Sequence, residues 1–150
     1  MKPIRVPVVL ALALVLAACG SASHMQTLDG VWNAQLSNSD GTSASAFQTV
    51  LTQAGGADVN VTGFVFTVPD SCFSSETSQH ASFTPAAGSR GTLMGEFEMT
   101  VTTLFPQGNN VLTLQGTVNG TAMTGTWSLT GGTGPCNGSG DFQMDKLPAL

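Results

Sequence analysis

Residues 110–130 read NVLTLQGTVNGTAMTGTWSLT, two alternating runs separated by Asn119-Gly120. An Asn-Gly pair between such runs is a strong signal for a two-residue β-hairpin turn, because both residues tolerate the positive φ of a type I′ turn. In the second run Met123 and Trp127 alternate with threonines and a serine, which indicates that one face of the strand is buried and the other is exposed to solvent. The stretch therefore predicts an antiparallel β-hairpin.

The same alternation continues outward over the rest of the chain from Leu28. This region is rich in Thr, Val, Phe and Gly, and its alternating runs are separated by turn clusters without a sustained helical period. Such a pattern is typical of an antiparallel all-β domain. We predict eight strands, at residues 28–37, 45–53, 58–67, 79–85, 91–103, 110–118, 121–130 and 139–146.

A glycine two residues before a large apolar residue recurs six times. Glycine inside a strand normally weakens it, so the repetition indicates a shared need for bends or close backbone approach, as where a sheet closes on itself. The predicted fold is therefore all-β, a small antiparallel up-and-down barrel of about eight strands, with a two-sheet β-sandwich as the alternative. The six segments are Gly30-Val31-Trp32, Gly63-Phe64-Val65, Gly95-Glu96-Phe97, Gly116-Thr117-Val118, Gly125-Thr126-Trp127 and Gly140-Asp141-Phe142.

Gly30-Val31-Trp32 resembles the G-x-W motif of the lipocalin and wider calycin group. Short glycine-threonine-tryptophan strands such as the one at Gly125 are similar to those of avidin-like barrels. The C-terminal helix of lipocalins has no counterpart in the sequence pattern. The resemblance implies a barrel and assigns no ligand to it.

The first residues resemble an export signal. Lys2 and Arg5 precede a mainly apolar run from Val6 to Leu16, which is shorter than the roughly 20 residues that span a membrane as a helix. The favoured interpretation is a signal peptide at residues 1–18, rather than a transmembrane anchor. Leu16-Ala17-Ala18-Cys19 resembles the lipobox of bacterial lipoproteins.

That resemblance implies that Cys19 becomes the lipidated first residue of the mature chain. Its thiol would carry a diacylglyceryl group and its amino group a fatty acyl chain such as palmitate, and two or three chains hold a protein firmly on a membrane. In Gram-negative lipoproteins, an Asp directly after the lipidated cysteine favours retention in the inner membrane. Gly20 occupies that position here, so we expect an outer-membrane protein facing the periplasm or the cell surface. The alternative is ordinary cleavage near Ala18, with Cys19 left as a free thiol.

The mature chain is expected to consist of a lipidated tether at 19–27 and a single domain at 28–150. After removal of residues 1–18 it keeps two basic residues, Arg90 and Lys146, against nine acidic ones, a net charge of −7. This charge repels phosphate backbones, so we expect no nucleic-acid partner.

Cys72 and Cys136 remain as an even pair once Cys19 is assigned to the lipid. In an oxidising exported compartment such a pair predicts a disulfide, which would stabilise the fold by roughly 3 to 4 kcal/mol by loop-closure entropy. A metal site is the weaker interpretation, because two distant thiols with only His24 and His80 lack the short ligand spacings of structural zinc.

The residues offer no catalytic constellation. The chain has no tyrosine, and His80 lies among serines that serve turn chemistry as well as hydrolysis. Glu96 and Glu98 share a strand face, which we interpret as a solvated surface rather than a glycosidase pair. We therefore predict a non-enzymatic protein with no catalytic residue, no metal and no cofactor.

Large aromatic residues could line a cavity at the mouth of the barrel, where small barrels hold ligands. The candidates for contacts with a small apolar ligand are Trp32, Phe97, Trp127 and Phe142. The predicted function is that of a lipid-anchored envelope protein that binds such a ligand. The alternative is a structural, adhesive or inhibitor-like envelope lipoprotein that contacts a protein partner and has no cavity; the oligomeric state stays open.

Overall fold

A computed structural model of the protein describes residues 27–68, 71–73, 77–88, 91–103, 110–131 and 136–149. All eight predicted strands are confirmed, with bounds shifted by at most three residues. The predicted signal peptide, Cys19 and nearly all of the tether lie outside the described residues. The strands are β1 (Gly30–Asn38), β2 (Ser43–Gly55), β3 (Asp58–Phe66), β4 (Thr77–Pro85), β5 (Met94–Thr103), β6 (Val111–Asn119), β7 (Ala122–Thr130) and β8 (Gly138–Lys146).

The eight strands form a closed barrel in which each strand pairs antiparallel with its neighbours in the chain. β1 also pairs with β8, from Trp32 opposite Lys146 to Asn38 opposite Gly140, and this pairing closes the sheet. The predicted up-and-down barrel is therefore confirmed, and the sandwich alternative is wrong.

The hairpin between β6 and β7 forms, but its turn lies one residue later than predicted. Asn119 still pairs with Ala122, so the turn consists of Gly120 and Thr121. Gly120 has a φ of 64°, whereas no non-glycine residue in the described parts of the chain has a positive φ. Glycine at the first turn position supplies the conformation that matches the strand twist, so Asn119 can stay in the strand.

One end of the barrel, here called the closed end, is covered by the chain that leads into β1. Leu28 and Trp32 are both fully buried there. The indole Nε1 of Trp32 donates a hydrogen bond to the carbonyl of Leu28 at 2.8 Å. On the outer side of the ring, the Nζ of Lys146 lies 5.9 Å from its centroid and donates to the carbonyl of Thr27 at 2.8 Å. These contacts close this end with an aromatic ring and a cation above it.

Close backbone approach explains the inward-facing glycines. Gly116 and Gly125 pair with each other between Phe97 on β5 and Phe142 on β8. A Cβ atom on either glycine would overlap the backbone of the adjoining strand, and one on Gly140 would overlap the carbonyl of Ser37. The predicted need for glycine at these strand positions is confirmed.

Gly63 departs from the predicted pattern. The register between β2 and β3 shifts by one residue at this point, because Gln48 pairs with Val65 while Val50 pairs with Thr62. Gly63 has a φ of 59°, typical of the glycine in a bulge. The bulge turns the Phe64 side chain toward the core and leaves Val65 60% exposed, so the prediction that Gly63 and a buried Val65 share a face is wrong.

Candidate functional site

The opposite end of the barrel, here called the mouth, holds a cavity of about 230 Å³. It lies where β1 and β7 end and where β2, β6 and β8 begin. Aliphatic and aromatic side chains form one part of its wall, and hydroxyl and amide side chains form the other. The lining residues are Leu36, Asn38, Ser43, Ala44, Ser45, Cys72, Phe73, Leu112, Trp127, Leu129, Asn137 and Gly138.

The described residues of the connection after β3, 67–68 and 71–73, lie at the mouth. The amide of Thr67 donates to the carbonyl of Ala46 at 2.9 Å, which holds the chain beside the start of β2. Farther along, the Phe73 ring stacks on the Phe66 ring, with centroids 5.0 Å apart. The side-chain amide of Asn110 donates to the carbonyl of Cys72. This segment therefore forms one side of the cavity.

Cys72 and Cys136 lie at disulfide-bonding distance, with Cα atoms 5.4 Å apart, inside the usual range of about 4.4 to 6.8 Å. Cys136 belongs to the connection between β7 and β8, so the pair joins opposite sides of the mouth. The sequence predicted this pair of cysteines. The pair fixes Phe73 and Asn137 beside the cavity.

The tight turn between β1 and β2 holds the other side of the cavity. Thr42 donates two hydrogen bonds to the carboxylate of Asp40, from its hydroxyl at 2.6 Å and from its backbone amide at 2.9 Å. These bonds hold the pKa of the Asp40 carboxyl below its ordinary value. The Asn38 amide donates to the Thr42 hydroxyl at 3.0 Å, and the ordered turn brings Ser43 and Ser45 to the cavity wall.

Trp127 is the predicted ligand residue that lines the cavity. Its indole Nε1 donates to the carbonyl of Ser37 at 2.8 Å, which fixes the ring against β1. The glycine at position 138 gives the ring space, because a Cβ there would approach the Trp127 Cη2 atom to 3.0 Å. The indole therefore presents a rigid apolar surface to the mouth.

The other predicted ligand residues, Trp32, Phe97 and Phe142, lie in the continuous core and not in the wall of the mouth cavity. Their exposed fractions are 0%, 2% and 3%, so the barrel interior around them is filled by its own side chains. A role for these three rings in ligand contact stays a prediction, and none of them lines the mouth cavity.

Ser45 is one of the polar residues of the cavity wall that the sequence analysis missed, with Asn38, Ser43 and Asn137. It is 6% exposed, and its hydroxyl is buried without a hydrogen-bond partner among the described residues. Buried hydroxyls are nearly always hydrogen-bonded, so an unpaired one needs an explanation. The available signal was its parity, since Ser45 precedes the inward-facing Phe47, Thr49 and Leu51 on the same strand.

The residues weighed for catalysis are exposed on the outer surface. His80 lies on the outer face of β4, and Glu96 and Glu98 lie on the outer face of β5. Within the described ranges no group of three or more His, Cys, Asp or Glu side chains is placed to hold a metal ion. In the same ranges, no helix has both the length and the apolar character needed to cross a membrane.

The fold and the cavity define the chain as a closed eight-stranded antiparallel barrel with a small, partly apolar cavity at the end joined by the cysteine pair. Comparison with protein-family models, with curated proteins and with solved structures finds no match.

Proposed function

We propose that this protein is an exported, lipid-anchored envelope protein that binds a small, mainly apolar ligand in the mouth cavity and performs no catalysis. The observation that carries the proposal is the cavity itself, because it adjoins a barrel interior that is otherwise packed with side chains. Its wall combines apolar side chains with polar groups, and small-molecule sites use such polar groups to fix the orientation of a ligand. Leu36, Leu112, Trp127 and Leu129 supply the apolar part here.

The cavity volume limits the size of the ligand. A volume of 230 Å³ equals that of about eight water molecules in the liquid. An apolar cavity of about 150 Å³ in another protein accepts benzene, so this one accommodates a single ring with a short substituent. Long acyl chains are too large for it.

The proposed anchor also limits how far the closed end can lie from the membrane. Thr27 lies at the closed end, where the side chain of Lys146 contacts its carbonyl. The eight residue steps between Cys19 and Thr27 reach at most about 28 Å when fully extended. The closed end would therefore remain within about 28 Å of the bilayer, and the mouth lies at the opposite end of the barrel from the tether.

Filling the mouth is expected to abolish ligand binding without unfolding the barrel. Leu129 is partly exposed and lines the cavity, so Leu129→Trp places an indole where ligand would lie. We expect affinity for p-xylene, a one-ring apolar probe, to fall at least about tenfold. Ligand-observed NMR titration measures this change. The matched control is Val65→Trp, which adds the same ring on the outer face and should leave p-xylene binding unchanged.

Equal binding of p-xylene to both variants would show that the mouth is not the site.

The pair of variants also tests a second candidate function, which is binding of a protein partner at β3. Among the described residues, β3 pairs with β4 only at Asp58 and Val59, and Val65 and Val68 are 60% and 49% exposed. An extended partner segment could add to such an edge. Its binding should survive Leu129→Trp and be lost in Val65→Trp.

Replacement of Cys19 by serine is expected to release the protein from the membrane. The variant lacks the thiol that would carry the diacylglyceryl group, and without acyl chains the tether offers little affinity for a bilayer. Cell fractionation followed by immunoblotting measures the distribution. Cys72→Ser serves as the control, since it removes a thiol and should leave the protein in the membrane fraction. Retention of the Cys19→Ser protein there would contradict the lipid anchor.

A further inference from the structure

We infer that the Ser45 hydroxyl is the polar anchor of the mouth cavity and that the ligand is a neutral one-ring molecule with one hydroxyl or carbonyl group. The inference rests on the proposed function and names the ligand class of the same site. Its starting point is the unpaired Ser45 hydroxyl, buried in the wall of a cavity large enough for a ring.

The isolation of this hydroxyl contrasts with the other buried polar side chains. The Thr49 hydroxyl donates to the carbonyl of Thr62 at 3.3 Å, and the Thr103 hydroxyl accepts from the amide of Asn110 at 3.1 Å. The side-chain amide of Asn110, a different group from the backbone amide that bonds to Thr103, donates to the carbonyl of Cys72. Ser45 has no such partner among the described residues, although its hydroxyl can both donate and accept. The Ser45 oxygen is enclosed in this structure, so a ligand oxygen pairs with it only after the Ser45 side chain turns toward the cavity that the residue lines.

The wall also indicates the charge of the ligand. None of the described residues that line the cavity is an acid, a lysine, an arginine or a histidine. A charged group that enters such a site leaves water without gaining an opposite charge, which is strongly unfavourable. A hydroxyl or carbonyl group needs only the hydrogen bond that Ser45 can supply. The ligand is therefore uncharged, with its ring against Trp127 and the leucines.

Two probes of nearly equal shape isolate the hydrogen bond. p-Cresol and p-xylene differ by a hydroxyl in place of one methyl group, and both are neutral near pH 7. We use the full chain carrying Cys19→Ser, so that no detergent competes for the cavity. NMR titrations should show tighter binding of p-cresol than of p-xylene. Ser45→Ala should weaken p-cresol binding about fivefold, the loss expected for one neutral hydrogen bond, and change p-xylene binding less than twofold.

Two further variants control for indirect effects. Ser128→Ala removes an exposed hydroxyl on the outer face of β7 and should leave the binding of both probes unchanged. Ser45→Thr keeps a hydroxyl at the site and should retain the preference for p-cresol. Because Ser45→Ala removes a buried unpaired hydroxyl, it should also raise the melting temperature of the ligand-free protein by a few degrees.

The outcomes separate this inference from the proposed function. If both probes bind and Ser45→Ala alters neither affinity, the ligand cavity stands and the anchoring role of Ser45 is wrong. If neither probe binds the protein with Ser45 intact, the proposed cavity function itself is wrong. Selective loss of p-cresol binding in Ser45→Ala, with the preference retained in Ser45→Thr, supports both.

Discussion

Replacement of Trp32 by alanine is expected to destabilise the barrel by about 4 kcal/mol, because a fully buried indole leaves a large cavity at the closed end. The substitution also removes the hydrogen bond that holds Leu28 over the barrel and the ring below Lys146. Urea unfolding followed by circular dichroism measures the change. We expect the transition midpoint to fall while the spectrum of the folded protein stays that of a β-sheet.

Trp32→Phe is the matched control for this prediction. It keeps an aromatic ring in the core but leaves the Leu28 carbonyl without its donor, so its cost should be clearly smaller, about 1 to 2 kcal/mol. If Trp32→Ala lowers the free energy of unfolding by less than about 1 kcal/mol, the indole contributes little to the packed core. That result would contradict the tight packing of the closed end.

Removal of the cysteine pair is expected to cost about 3 to 4 kcal/mol. In the double variant Cys72→Ser with Cys136→Ser, the unfolded chain gains the freedom of a loop that spans 64 residues. The same change frees the segment that carries Phe73 across the mouth, so p-xylene binding should weaken as well. Urea unfolding and the NMR titration measure the two effects on the same samples.

Reduction of the unaltered protein supplies the control for the cysteine pair. A reducing agent should lower its stability to that of the double variant and should leave the double variant unchanged. Two free thiols detected in the oxidised protein, or a double variant as stable as the unaltered protein, would contradict a disulfide at this position.

Most of the barrel could be predicted from local patterns. Alternation of side chains, as at Phe97 and Met99 against Glu96 and Glu98, determines which face of a strand is buried, and this holds for most strands. The recurring glycines indicated a sheet that closes on itself, because Gly116, Gly125 and Gly140 lie where neighbouring backbones exclude a Cβ. These features depend on residues close together in the sequence or on one strand pair.

Features that depend on distant parts of the chain could not be predicted in the same way. The bulge at Gly63 reverses the facing of the residues after it, which brings Phe64 and Phe66 inward. The cavity is formed jointly by Leu36, Ser45, Leu112 and the segment at Cys72, whose sequence positions are far apart. Aromatic residues were a poor guide to the site, because most of them fill the core; Trp127, near the end of its strand, reaches the mouth.

The most direct test of the ligand-binding account is native mass spectrometry of the protein purified gently from the cell envelope, compared with its denatured mass. We expect an additional noncovalent mass that corresponds to a small neutral molecule, that disappears on denaturation and that is absent from the Leu129→Trp variant. The same native and denatured mass for the unaltered protein, under conditions in which p-xylene also fails to bind, would contradict the account.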